Sequence, residues 1–151
     1  MVNYPIIHVE VVDVVKHVVF LFPFLIRMGV AFVCGALIGW ERERSDKPAG
    51  LRTHVLICVG ASIYAISGLL VGLDPTRVAS QVASGVGFIG AGTILRDKDN
   101  VVGLTTAATV WLSAAIGVLA GLGYPIMAVF AAVLTLTTLT VLSRIPVRRK
   151  R

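Results

Sequence analysis

Apolar residues gather in five blocks, at about residues 23–40, 54–73, 75–95, 105–121 and 125–143, separated by short polar or turn-forming segments. Each block approaches or exceeds the ~18–20 residues that carry a helix across a ~30 Å hydrocarbon layer. The pattern predicts an all-α, multi-pass transmembrane helical bundle of about five spans. The segment before the first block differs. Glu10, Asp13 and His17 fall at i, i+3 and i+7 with Lys16 beside them, opposite a face of Val and Ile. Placing those charges at the bilayer centre would cost roughly 2.5–3.5 kcal/mol each. Residues 1–22 are therefore expected as an amino-terminal amphipathic helix lying in the interface, followed by a transmembrane domain at 23–143 and a basic tail at 144–151. Pro23 is expected to open the first span, where its missing N–H is no loss. Asp74-Pro75 opens the third as cap and first helical residue, and Pro125 opens the fifth.

Within the blocks, small residues recur at helical spacing. Ala31, Gly35 and Gly39 form one stripe, as do Gly60, Tyr64, Gly68 and Gly72, and Thr109, Ser113, Gly117 and Gly121. The smoothest lies in the third block, at Ala79, Ala83, Gly87 and Ala91. Such stripes let helices approach backbone to backbone, the mode of association available in lipid. The expected packing positions are Gly35, Gly39, Ala83, Gly85, Gly87, Gly90, Ala91, Gly92 and Gly117. The third block also contains Gly85-Val-Gly87-Phe-Ile-Gly90, a letter-for-letter dinucleotide fingerprint. That motif needs a preceding strand and an acid about 20 residues on; neither is present, so it reads as membrane packing. Gln81 and Ser84 in this block, with Thr105 and Thr106 opening the fourth, are the polar residues expected to face the bundle interior.

Composition agrees: 56% of residues are hydrophobic, 15% are charged, and the mean hydropathy is +0.88. The net charge of +6 does not indicate nucleic acid, because its cations collect at block edges. Arg42, Arg44, Lys47, Arg52, Arg96, Lys98 and the tail arginines and lysine share one face, against Lys16 and Arg77 on the other. This bias predicts a cytoplasmic membrane protein with its amino terminus outside and its carboxy terminus in the cytoplasm. No basic leader precedes the first apolar run, so no cleavable signal is expected. Arg27 is the one cation inside a span, about a turn from its start, where it can snorkel outward. Cys34 and Cys58 fall inside spans and read as small buried hydrophobes.

Chemistry concentrates between the first two spans, in Glu41-Arg42-Glu43-Arg44-Ser-Asp46-Lys-Pro48-Ala-Gly50-Leu-Arg52-Thr53-His54. One reading is a self-neutralising solvated loop in which Thr53 caps the second span. The other is a cytoplasmic vestibule where Glu41, Glu43 and Asp46 meet a hydrated cation or a protein partner. Mg²⁺ keeps several of its waters and needs only one or two carboxylates. These three acids are the candidate metal residues, and no resident cofactor is expected.

Gly39-Trp-Glu41-Arg-Glu-Arg44 with Pro48-Ala-Gly50-Leu-Arg52-Thr-His resembles the first signature of the MgtC/SapB family of membrane proteins. Gln81-Val-Ala-Ser84-Gly-Val-Gly87-Phe-Ile-Gly90-Ala-Gly92 resembles its second, and Gly103-Leu-Thr105-Thr106-Ala-Ala-Thr-Val-Trp111-Leu-Ser-Ala-Ala-Ile-Gly117 its third. The resemblance covers residues 35 to about 123 in order and spacing. It implies about five spans in the cytoplasmic membrane and a link to low-magnesium adaptation and, in pathogens, to virulence. It further implies action on other membrane machinery, including the proton-driven ATP synthase. Many members carry a soluble carboxy-terminal domain after the last span, and this chain is expected to be a short form without it.

Two functions follow as expectations. The first is an interaction protein that modulates Mg²⁺ and proton homeostasis by binding other membrane proteins or a second copy of itself. The second is a transporter or channel for Mg²⁺ or another cation, with a glycine-broken third span. The functional cytoplasmic face would comprise Glu41, Arg42, Glu43, Arg44, Arg52 and Thr53. No nucleophile has a base at usable spacing, so no enzyme is expected.

Overall fold

The computed structural model describes residues 11–97 and 100–144. Helix α1 spans Val11–Arg44, α2 Leu51–Leu70, α3 Pro75–Ala91, α4 Leu104–Gly121 and α5 Pro125–Val141. A short hairpin, β1 (Leu95–Asp97) and β2 (Asn100–Val102), joins α3 to α4 with Arg96 opposite Val101. A 3-10 turn, Leu142–Arg144, ends the described chain. Four helices are long and apolar enough to cross a membrane: α1 from Val19, α2, α4 and α5. The fifth, α3, has 17 residues and reaches about 26 Å at 1.5 Å per residue.

Two expectations about α1 and α3 change. No break separates an interfacial helix from the first span at residues 22 and 23, because α1 continues through Pro23. The flanking Phe20-Leu-Phe22 and Phe24-Leu-Ile26 favour the membrane on both sides, and helix is the conformation that keeps lipid-facing backbone hydrogen-bonded. Glu10 lies outside the described residues, as do Lys98, Asp99 and 145–151. Helix α3 is unbroken from Pro75 to Ala91, so it has no mid-membrane interruption of the kind the transporter reading used.

The bundle is built around α4, which packs against all four other helices. Ala31, Cys34 and Ile38 of α1, Cys58 of α2, Ile116 and Ala120 of α4, and Ala128, Ala132 and Leu139 of α5 make one core. A smaller core joins Ala61 and Ala65 of α2 to Ala114 and Val118 of α4. Glycines set the spacing of α2 from both neighbours. A methyl on Gly35 would come within 2.8 Å of the His54 carbonyl oxygen, and one on Gly39 within 2.7 Å of the Leu51 Cα. On the other side, a methyl on Gly117 would overlap the Cys58 carbonyl, and one on Gly121 would approach the Ser62 carbonyl to 2.5 Å. The stripe Thr109, Ser113, Gly117 and Gly121 is buried throughout.

Elsewhere the stripes are displaced. On α2 the buried line is His54, Cys58, Ser62 and Ala65; of the expected stripe Gly68 is buried against Val78, whereas Gly60 has open space and Tyr64 is exposed. On α3, Ala79, Val82 and Val86 pack on the bundle and Gly90 is buried against Ala107. A Cβ added at Gly85 or Gly87 would meet nothing within 4 Å outside its own helix, Ala91 is exposed, and one at Gly92 would meet only its own helix. At 100° per residue Ala83, Gly87 and Ala91 lie to one side of the packed line and Gly85 to its other side. Two interleaved small stripes run along α3, and the bulk of Val82 and Val86 selects which one buries apolar area.

Arg27 has a partner 94 residues away. Its Nη1 donates to the Gly121 carbonyl at 3.1 Å, and its guanidinium lies 5.3 Å from the Phe24 ring centre. A cation on the orphan carbonyls of a helix end is favourable, so Arg27 ties α1 to the end of α4.

Gly117→Ala should destabilise the fold by about 1–3 kcal/mol, the usual range for overpacking, because the obstacle is α2 backbone. Gly85→Ala should be neutral or slightly stabilising, since open space leaves only the gain in helix propensity. Thermal unfolding in detergent reads both. At the start of α3 the Thr76 hydroxyl and N–H both donate to Asp74 Oδ1 at 2.8 Å. The Thr76 hydroxyl first, and its amide second, hold the Asp74 carboxyl below its ordinary value. A lowered folded pKa gives stability that is complete above the unfolded value, near pH 4, and fades as pH falls through the folded one. Amide protection factors at Thr76 and Arg77, corrected for the intrinsic pH dependence of exchange, should fall in that acid window relative to neutral pH, and Asp74→Asn should cap without that dependence.

Candidate functional site

The carboxy ends of α1, α3 and α5 and the amino ends of α2 and α4 meet at one end of the bundle, and the charge-rich segment closes it. The turn after α1 is fixed by its own backbone: Ser45 N–H donates to Glu41 O, Asp46 N–H to Glu43 O and Lys47 N–H to Arg42 O, each at 3.0 Å. Asp46 takes the left-handed conformation at φ 57°. Ala49 is buried beneath the turn.

Glu41 and Glu43 point to different tasks. Glu41 is paired with Arg42 Nε and accepts from Ser45 Oγ at 2.9 Å. Glu43 Oε2 accepts the Leu51 N–H at 2.7 Å, capping α2 from eight residues upstream. The cap expected from Thr53 is therefore corrected: α2 starts at Leu51 with Gly50 as its N-cap, and Thr53 lies inside the helix. Arg44, Asp46 and Arg52 are exposed. Among the described residues no three His, Cys, Asp or Glu side chains come together to hold a metal ion. Glu41, Glu43 and Asp46 are thus not gathered into one centre.

Arg42 is 4% exposed and forms a wall of a cleft of about 820 Å³. Glu41 and Lys47 line the same cleft, with Thr105 and Thr106 from α4 and Thr138 from α5. Four residues chosen from sequence (Glu41, Arg42, Thr105 and Thr106) are brought together here. Thr106 is buried, and Thr105 is exposed on the cleft rather than in the bundle interior. Gln81 and Ser84 are corrected as well: both are exposed on α3. Sequence reasoning missed Lys47, Thr138 and Ser143. The run Thr135-Leu-Thr137-Thr138-Leu-Thr140 was the available signal, being the most hydroxyl-rich stretch of the last span.

Behind the cleft a polar seam runs between α2 and α4. His54 is fully buried, and its Nδ1 lies 2.9 Å from the Gly50 carbonyl. The Cys58 thiol donates to the Ser113 carbonyl at 3.0 Å, and Thr109 Oγ1 to the Thr106 carbonyl at 2.8 Å. Among the described residues, His54 Nε2, Ser62 Oγ and Ser113 Oγ are buried without hydrogen-bond partners. Both cysteines are free and buried.

Comparison with known proteins bears on the whole of this arrangement. The family model described as "MgtC family" matches residues 28–147, taking in α1 from Met28, the four helices α2 to α5 and the cleft-lining residues. The chain is 45% identical over 135 residues to the Escherichia coli K12 protein named "Putative magnesium transporter YhiD", covering 83% of this chain and 63% of that one. It is 49% identical over 104 residues to protein MgtC of Salmonella typhimurium LT2, covering 68% of this chain and 45% of that one. With protein MgtC of Brucella abortus the identity is 54% over 95 residues, covering 62% and 40%. The matches thus span about two fifths to just under two thirds of these relatives' lengths. No solved structure matches the chain. The apolar helices, the glycine-set bundle and a family match that covers most of the sequence agree: this is a membrane protein and a member of the MgtC family.

Proposed function

We propose that the protein modulates ion homeostasis, Mg²⁺ and proton balance in particular, by binding other membrane proteins through the outward face of α3. The observation that carries this reading is that face itself. Gln81 and Ser84 are exposed there, among the described residues neither has a hydrogen-bond partner, and Gly85 and Gly87 beside them open onto empty space. Polar side chains facing hydrocarbon are unfavourable, whereas small residues with hydrogen-bonding neighbours are what packed membrane helices present to each other. A helix laid on α3 would satisfy both. The chain is placed in the cytoplasmic membrane with the Glu41 end inside, following the cation bias. A second copy of the chain and the proton-driven ATP synthase are the candidate partners. Low-magnesium adaptation and, in a pathogen, virulence are the settings.

A second reading, cation transport, has one observation in its favour. The unpartnered Ser62 and Ser113 hydroxyls and His54 Nε2 lie along the α2–α4 seam, where a hydrated path would need polar walls. Against it, α2 to α5 carry no acid within their apolar lengths, and carboxylates commonly mark cation paths.

In-membrane crosslinking should recover a partner of α3, and Gly87→Leu should reduce the crosslinked product severalfold. Because Gly87 meets nothing within 4 Å, the same variant should keep the monomer's thermal unfolding. A wild-type chain that stays strictly monomeric and captures nothing would sink the proposal. Liposomes holding the purified protein should show no Mg²⁺ flux above empty vesicles. Flux abolished by Glu41→Ala would establish the transport reading instead.

A further inference from the structure

We propose that the cleft beside Arg42 binds a phosphate group, carried either by a lipid of the surrounding leaflet or by a free phosphate compound. The site is separate from the outward face of α3 and does not rest on the function proposed for it.

The first observation is the start of α4. Gly103, Leu104, Thr105 and Thr106 all line the cleft. The first N–H groups of a helix have no acceptor within it, and no side chain among the described residues caps α4. Gly103 holds φ 89°, and a Cβ there would overlap the Thr93 carbonyl. The start of α4 is thereby held against Thr93, just past the end of α3, with its first residues bordering the cleft. Oriented amides and the positive end of an 18-residue helix suit an anion.

The second observation is Arg42. Its side chain is 5% exposed, and Nε is taken by Glu41. Among the described residues its recorded bond is that of Nε to Glu41, and Nη1 and Nη2 are not among the fully buried atoms, so a packed side chain opens its fork onto the cleft. Phosphate oxygens match that fork two at a time.

Charge and shape agree. Arg42 and Lys47 outweigh Glu41 in the lining, and the Glu41 carboxylate is already engaged by Arg42 Nε and Ser45 Oγ. The Thr105 hydroxyl adds a donor at the rim. At about 820 Å³ the cleft holds more than a phosphate, and Leu104, Leu139 and Leu142 give it an apolar side. That side can take the glycerol and first methylenes of a lipid, or the organic part of a soluble phosphate compound.

Two arms separate the sources. Inorganic phosphate is titrated calorimetrically into the detergent-solubilised full chain. In parallel, the chain in nanodiscs of phosphatidylglycerol mixed with phosphatidylcholine is assayed for retained lipid by native mass spectrometry. Saturable binding is expected in at least one arm: retained phosphatidylglycerol alone identifies a lipid headgroup, and phosphate binding in detergent identifies a free compound. Arg42→Gln should weaken binding about tenfold, the loss of one charge-assisted contact. Thr105→Val, which leaves the buried ion pair intact, should weaken it severalfold and keeps the test sound should Arg42→Gln not fold. Glu41→Gln should bind as tightly or more tightly, since it removes negative charge. No binding in either arm, or binding unaltered by both Arg42→Gln and Thr105→Val, overturns the proposal. So does loss of binding in Glu41→Gln, which would mark a cation site. Failure here leaves the α3 crosslinking result untouched.

Discussion

Helix α2 is held backbone to backbone between α1 and α4, and the rest of the bundle depends on that contact. Water drives no helix pairing inside a bilayer, so close packing must supply the attraction, and each added Cβ pushes the partners apart. Gly35 and Gly39 on one side and Gly117 and Gly121 on the other bring neighbouring helices against the carbonyls or backbone of Leu51, His54, Cys58 and Ser62. With both flanks occupied, the polar face of α2 turns inward. His54, Cys58 and Ser62 become a buried line instead of lipid-exposed polar groups.

This arrangement makes α4 the hub and fixes both of its ends. At one end Arg27 donates to the Gly121 carbonyl, compensating the negative end of the α4 dipole with a cation that would otherwise be stranded in α1. At the other, no side chain among the described residues plays the matching role for the amino end. The asymmetry has a geometric source. Arg27 can reach across from α1 because the two helices share the Ala31–Ala120 core. The two acids at the end of α1 are engaged elsewhere, Glu41 by Arg42 and Glu43 by the α2 amide of Leu51.

Much of the fold was legible from local chemistry. The Asp74-Pro75 start of α3 appears as its residues dictate, and Pro125 opens α5. Hydropathy located α2, α4 and α5 because a membrane helix needs both length and apolarity, and sequence displays both. What sequence displayed poorly was rotation about each helix axis. On α3, Ala79-Ala83-Gly87-Ala91 and Ala79-Val82-Val86-Gly90 are both admissible stripes, and the choice is made by what α2 and α4 offer across the gap. Pro23 misled for a related reason. In water it costs about 3 kcal/mol inside a helix, but lipid offers the chain no alternative to helix. The cleft was half legible: its residues were named separately, but nothing local says that Arg42 and Thr105, 63 positions apart in sequence, share a wall, or that α5 contributes Thr138.

The two acids at the end of α1 show how spacing decides chemistry here. Glu41 and Glu43 are two residues apart, about 200° around a helix at 100° per residue. They cannot close on one cation without unwinding the last turn, although composition alone makes them look like a carboxylate pair. The helix instead sends Glu43 to the start of α2, where its bond to the Leu51 N–H holds the turn from Ser45 to Gly50 in place. That turn sets where Lys47 stands relative to the cleft. Glu41, on the other side, stabilises Arg42 by engaging a single nitrogen and leaves the guanidinium fork open. One acid positions the loop and the other holds a cation ready; what reaches the cleft is a donor array with a net positive charge.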